Sequence, residues 1–375
     1  MNLDKSTWER VAFGDVVRNV NVTVRDPGAA GVDRVVAMEH MDPAELKIRR
    51  WGSTEDGTTF TRRVTPGQTL FGKRRAYQRK VAYADFDAIC SGDVLTFEAD
   101  ETRLLPRFLP FLVISDGFFR HALGTSAGSL SPRTNWRDLS GYAFDLPPLD
   151  VQRSLADLLW AVEEHRLAVS DVARAADRAV GVRLREAWES GEKREIGRIA
   201  ACVTGSTPSK ANGAYWSSED VPFYTPSDID GDTVDVAGQR VSEAGAATGR
   251  PLPAHAVAVA CIGGDLGKSA VITRPGISNQ QITAVVGLAR DDAYTLQALL
   301  AHPAGRQAIE ARETTTIVRK LNKSDLMRIE VPWPSDRTEL RELVQERRAS
   351  LAALTGEADA LRRLRSSLLA EIFGG

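Results

Sequence analysis

Cysteine is scarce: Cys90, Cys202 and Cys261 are the only three in 375 residues, and no two are spaced as CxxC. That excludes a disulfide scaffold and a cysteine-rich zinc module. Five scattered histidines give no HxxxH or HExxH pattern, so a histidine-based metal site is not expected either. No apolar run approaches the roughly 18 residues of a membrane span, and the opening MNLDKSTWER has no signal-peptide core. A reducing, cytoplasmic setting is expected. An excess of one charge is missing as well: 48 Lys and Arg face 50 Asp and Glu, for a net charge of −2. Any nucleic-acid binding must therefore come from local patches. What remains is ordinary globular composition, 43% hydrophobic and 26% charged, in a chain long enough for two or three domains.

The chain is built twice. Phe13-Gly14-Asp15-Val16 is echoed by Ile196-Gly197-Arg198-Ile199, an offset of 183. Asn135-Trp136-Arg137-Asp138-Leu139 leads through an apolar strand to Pro147-Pro148. Asn322-Lys323-Ser324-Asp325-Leu326 leads likewise to Pro332-Trp333-Pro334. Beyond these prolines the register is constant at 185, matching Asp150 with Ser335, Leu155 with Leu340, Leu184 with Leu369 and Trp188 with Phe373. Two long copies are duplication, not a solenoid. The division reads as a module over 1–148, a long helix over 149–190, a second module over 191–334 and a second long helix over 335–375.

Residues 151–190 contain no proline and one glycine. Leu155, Leu158, Val162, His165, Val169, Val172, Ala176 and Ala179 recur at steps of 3 and 4, the rhythm of a heptad seam. Val344, Leu351, Leu354, Ala358, Leu361, Leu368 and Ile372 repeat it, interrupted by Arg347 and Arg365. Asp150 and Ser335 sit where an N-cap is wanted. Two equal helices with matching seams suit each other, and are expected to pair. In the modules, short strands are predicted at 35–38, 69–71, 256–262 and 282–286, and shorter helices at 105–115 and 296–311. The fold class is α+β.

Enzyme-like strings fail on inspection. Gly263-Gly264-Asp265-Leu266-Gly267-Lys268-Ser269 ends like a phosphate-binding loop, but Ile262 stands where its first glycine is required. Asp145-Leu146-Pro147-Pro148-Leu149 has an extra leucine and no aromatic, unlike the motif that stacks a flipped base in amino-methyltransferases. Asp228 and Asp230 read as turn-ordering residues. No catalytic constellation, metal site or cofactor loop is expected on this chain.

The nucleic-acid signal is local. Residues 61–80 carry seven Arg and Lys and no acid, with Phe71 and Tyr77 interleaved. Lys73, Arg74, Arg75, Tyr77, Arg79 and Lys80 offer phosphate contacts and base-edge donors. A polar loop carrying Ser126, Ser129, Arg133 and Asn135 precedes the return strand. Its counterpart in the second half carries Thr315, Thr316, Arg319 and Lys320. The second module adds Thr207, Ser209, Lys210, Tyr215 and Lys268, together with Asn279, Gln280 and Gln281, whose amides are of the kind that bracket adenine. These residues are the candidate DNA contacts.

Together these features resemble the specificity subunit of type I restriction-modification systems. The residues carrying the resemblance are the duplicated module-plus-helix plan, Gly205-Ser206-Thr207-Pro208, Tyr215-Trp216, Thr225-Pro226-Ser227-Asp228-Ile229, Asn279-Gln280-Gln281, and Leu146-Pro147-Pro148-Leu149 with Gln152. Residues 72–80 and Gly128-Ser129 with Arg133 are similar to one branch of that family's target-recognition domains. The resemblance implies two target-recognition modules separated by two long antiparallel helices, each reading one half of a split double-stranded DNA site. It also implies two methyltransferase subunits and translocating endonuclease subunits as partners, which would hold S-adenosylmethionine, ATP and magnesium. The second half departs from the pattern where Arg337 replaces the expected glutamine. A stand-alone methyltransferase or nuclease, and a coiled-coil scaffold of another defence system, are the alternatives.

Overall fold

The structure, a computed structural model, describes residues 3–126, 132–315 and 318–374. The chain divides into two units, Met1–Ser170 with Gly356–Gly375, and Asp171–Thr355. The fold is α+β, as the sequence implies, and the two long helices are Leu149–Ser190 and Thr338–Phe373.

In the first unit an antiparallel four-stranded sheet runs Val17–Val20, Val94–Ala99, Thr69–Gly72, Val81–Tyr83. A second sheet holds Arg34–Val36 parallel to Ala88–Cys90, flanked by Gly52–Ser53 and Arg62–Val64. Glu9–Ala12 pairs with the return strand Ala143–Leu146, which feeds the first long helix. The core between sheet and helices is aromatic: Phe13, Phe71, Phe97 and Phe118 are fully buried and meet edge to face or stacked at 5.0–6.0 Å.

The second unit repeats the plan with aliphatic filling. Its main sheet runs Ala201–Thr204, Ile282–Val286, Val257–Ala260, Ser269–Ile272, with Thr233–Val234 added in parallel. Val221–Tyr224 pairs in parallel with Ile277–Ser278, as its counterpart does in the first unit. Lys193–Glu195 pairs with Glu330–Pro332. The early echo has a steric cause. A Cβ on Gly14 would lie 2.9 Å from the Ser140 Cβ, and one on Gly197 would lie 3.0 Å from Met327. Each glycine lets the turn after a buried Phe13 or Ile196 close on the helix that precedes the return strand.

Several local expectations are corrected. The helix expected at 296–311 is two helices, Arg290–Ala301 and Pro303–Glu310, because Pro303 cannot continue the first and His302 caps the second through Ala304 N–H. The one expected at 105–115 narrows to Leu109–Ile114 and is followed by Asp116–Gly124, which Ser115 caps. Asp150 lies inside the first turn of its helix, and Ser335 instead accepts a bond from Arg194. The second long helix is capped by Asp336, which accepts from Thr338 N–H. The heptad seam holds in part: Leu155, Val162 and Val169 are buried as expected, but the alternate positions turn outward. Leu158 and Val172 are 41% and 56% exposed, whereas Gln152, Leu159, Trp160, Glu163 and Arg166 are buried.

Within each unit the two helical stretches run antiparallel. In the first, Glu163 meets Arg365 and His165 meets Glu357. In the second, Asp177 meets Arg347 and Arg183 meets Glu339. The helix starts are fastened differently. Gln152 accepts from Leu105 N–H and donates to the Arg103 and Pro147 carbonyls. Arg337, its counterpart, grips Asp292 at 2.6 and 2.7 Å and covers Trp333.

Candidate nucleic-acid interface

A backbone arrangement recurs in both units at the end of an inner strand of the main sheet, Thr69–Gly72 in the first and Val257–Ala260 in the second. In the first unit Arg75 N–H donates to the Pro132 carbonyl (2.9 Å), Thr134 N–H donates to Lys73 (3.0 Å), and Arg74 bridges Arg133. In the second, Gly263 N–H donates to Arg319 (3.0 Å), Leu321 N–H donates to Cys261 (2.8 Å), and Ile262 bridges Lys320. The same strand ends receive the next loop in both. Lys73 N–H donates to Asp93, as Cys261 N–H does to Gln281. Asp93 N–H donates to the Ser91 hydroxyl, as Gln281 N–H does to the Asn279 side chain. Two polar loops therefore converge on one strand end in each unit: Arg133 and Asp93 in the first, Lys320 and Gln281 in the second.

In the first unit Arg74, Arg75 and Tyr77 are exposed, as are Arg133 and Asn135. Arg75 and Arg79 hold left-handed backbone on either side of the turn 76–78. The Asp93 carboxylate lies 3.5 Å from Arg74 and 3.4 Å from Arg133, one oxygen to each. Burial, with Arg62 and Arg133 nearby, pulls the Lys73 ammonium below its usual pKa, while Asp93 opposes them. Two members of the stretch are committed to the fold. Arg79 pairs with Asp116, donates to the Ile114 carbonyl and stacks on Phe119, and Lys80 donates to the Met38 carbonyl. Ser126 bonds the Ala122 carbonyl and Thr134. Ser129 and Thr316 lie outside the described residues.

In the second unit Thr207, Lys210, Thr225, Gln239, Asn279 and Gln281 line a cleft of 400 Å³. Thr207 donates to Gln280, and Asn279 donates to the Gln281 side chain at 2.8 Å. Gly205 makes this contact possible: a Cβ there would stand 2.2 Å from the Asn279 carbonyl and the Ser278 hydroxyl. The Ser209 carbonyl accepts from Trp216, over which Lys210 sits at 5.9 Å, and the half-buried Tyr215 accepts from Ser242 N–H through its carbonyl. The Thr315 backbone pairs with that of Arg319 in an antiparallel ladder, where Arg319 is tied to Glu313 and Glu310 and Lys320 is exposed. Lys268 stands apart. It lines a different cavity, beside Arg306 and Arg347, and touches the cleft wall only through Asp265 at 2.6 Å.

Ser91 and Asp93 are the residues that sequence reading passes over. Ser91-Gly92-Asp93 looks like an ordinary turn, and its equivalence to Asn279-Gln280-Gln281 appears only at an offset of 188, obtained by laying the strand Val94–Ala99 on Ile282–Val286. Asp228 and the cysteines behave as turn and core residues. Asp228 accepts from Thr225 and Gly238 N–H. Burial pushes the thiols of Cys90 and Cys202 up to about 12 and about 11. Among the described residues no three His, Cys, Asp or Glu side chains gather to hold a metal ion, and no helix is long and apolar enough to cross a membrane.

A duplicated sheet module, each copy followed by a long helix, defines the structural class. The chain has the fold of the specificity subunits of type I restriction-modification systems, the family its sequence resembles. Over 100% of this chain and 98% of the other, it matches the S subunit of a type I system from M. genitalium at a TM-score of 0.61, with 12% identity. It matches a chain from a structure of type I restriction-modification complex assembly at 0.56, with 18% identity, covering 98% of each. The specificity subunit of the type I restriction enzyme EcoDI, from Escherichia coli, is 30% identical over 103 residues, 27% of this chain. That stretch spans 22% of the relative's length. No family model matches the sequence.

Proposed function

We propose that this chain is the DNA-recognition subunit of a type I restriction-modification complex. Each unit reads one half of a split double-stranded site. Methyl transfer and cleavage belong to methyltransferase and endonuclease partner subunits, which hold S-adenosylmethionine, ATP and magnesium, and the chain itself catalyses nothing. The observation that carries the reading is the recurrent strand end with its two converging polar loops. A duplicated surface rich in exposed arginine in one copy and amides in the other suits two readers of different sequence. Phosphate contacts from Lys73, Arg75 and Lys210 would fix register, and the amides and guanidinium groups would supply base contacts.

Mapping methylated bases across the genome of cells with and without the chain tests this. A bipartite methylated motif that vanishes with the chain is expected. Exchange of residues 1–148 for another member's first module should change one half of that motif alone. Methyl transfer by the purified chain without partners would overturn the assignment in favour of a stand-alone methyltransferase.

A further inference from the structure

We propose that Asp93 is a positioning residue for base recognition: it holds Arg74 and Arg133 together to address guanine, while the second unit, with Gln281 at the equivalent place, addresses adenine. The inference rests on the DNA-reading role proposed above and assigns base chemistry to each unit.

An acid on a surface meant for phosphate is unfavourable unless its charge is spent locally. Asp93 spends it on two arginines, giving one carboxylate oxygen to each at 3.5 and 3.4 Å. The arginines are brought together by the backbone, since Arg74 and Arg133 form a bridge between their two segments. Without the carboxylate, two guanidinium groups so placed would repel and point apart. Asp93 is itself fixed from behind, its carbonyl accepting from Lys73 N–H and its N–H donating to Ser91. Its side chain is 23% exposed, while those of Arg74 and Arg133 are 44% and 58% exposed. The anchor is thus sheltered and the anchored groups reach solvent. A fixed guanidinium fork matches O6 and N7 of guanine.

Among the described residues the second unit carries no such cluster at this place, where Lys320 stands in the position of Arg133. Gln281 has an amide where Asp93 has a carboxylate, and Ile262 stands where Arg74 does. Its side-chain oxygen is held by the Asn279 amide at 2.8 Å. A glutamine oriented in this way matches N6 and N7 of adenine.

The test uses the full chain assembled with its methyltransferase subunits and a DNA library randomised over both half-sites. The native complex is expected to require a G·C pair in one half. Asp93→Asn and Asp93→Gln should relax that position by roughly tenfold or more, leaving the other half-site and the unfolding midpoint unchanged. Asp93→Glu should retain the preference. Arg133→Ala, a change at an exposed side chain, should relax the same position and covers the case in which an Asp93 variant fails to fold. A folded Asp93→Asn with unaltered preference, or a loss spread evenly over both halves with a lowered midpoint, overturns the positioning role. A native complex that selects no split site overturns the DNA-reading role itself.

Discussion

Asp292 is 5% exposed and receives both Arg337 and Arg341 at 2.6–2.7 Å. Burial pushes its carboxyl up, but the bonds and charges of the two arginines outweigh burial and hold it at about 2. A carboxyl depressed in the native state contributes its stability above the unfolded value of about 4, and loses it as pH falls toward 2. Asp292→Asn should cost about 1–3 kcal/mol at neutral pH. Urea denaturation should show the gap to the native protein closing between about pH 4 and pH 2, and a gap independent of pH would contradict the assignment. The neutral counterpart, Gln152, should show no such titration when changed to Leu. The sequence points to Arg337 as a departure, yet its partner lies on another helix and is invisible to local pattern. Gly205 makes the opposite point. Its place in Gly205-Ser206-Thr207-Pro208 is legible, but the reason, a 2.2 Å approach to Asn279 and Ser278, needs the fold. Gly205→Ala should displace the Asn279-Gln280-Gln281 loop, weakening selection of one half-site while the other persists.

The long helices are legible because proline is missing from them and apolar residues recur. Their inward face is only partly legible: Leu155, Val162 and Val169 are buried as expected, but the pattern counts only apolar residues as core. Leu158 and Leu159 fit a seam equally well by type. The choice falls to Leu159 because Gln152, Glu163 and Arg166 share its side and are satisfied there. Glu163 is fully buried, bonded to Arg166 at 2.8 Å and Arg365 at 2.7 Å, and Arg166 also reaches Glu45. Burial raises the Glu163 carboxyl, and the arginines more than reverse it, so its pKa ends below the ordinary value. Arg365, read from sequence as an interruption, is a member of this buried network. Glu163→Leu should destabilise by about 3–5 kcal/mol, because it strands Arg365 without a counter-charge. The double change Glu163→Leu with Arg365→Leu should recover most of that loss. Urea denaturation of the native, single and double variants decides it, and a double variant weaker than the single would refute the stranded-charge account.

Duplication is the most legible feature of the whole chain, because the helices and their entry prolines keep one register. The modules hide theirs: the offset moves from 183 near the start to 188 at the strand ends and back to 185 in the helices, as insertions in one copy shift its loops. Both helices pass without a break from the residues of one unit to those of the other, over 42 and 36 residues. If the units read separate half-sites, the expectation to test is that helix length governs the spacing of those half-sites. Asp177 faces Arg347, so positions near 175 and 349 lie level on the antiparallel pair. Four residues added after Ala175 and four after Ala349 would lengthen both helices by about 6 Å, close to two base-pair steps of about 3.4 Å. They would turn each helix by slightly more than one full revolution, keeping its buried face approximately in phase. The methylated motif should then gain one or two base pairs of spacer, with both half-site sequences kept. Removing four residues at each place should shorten it. Variants that fold and assemble yet methylate only the original spacing would show that something other than the helices measures the distance.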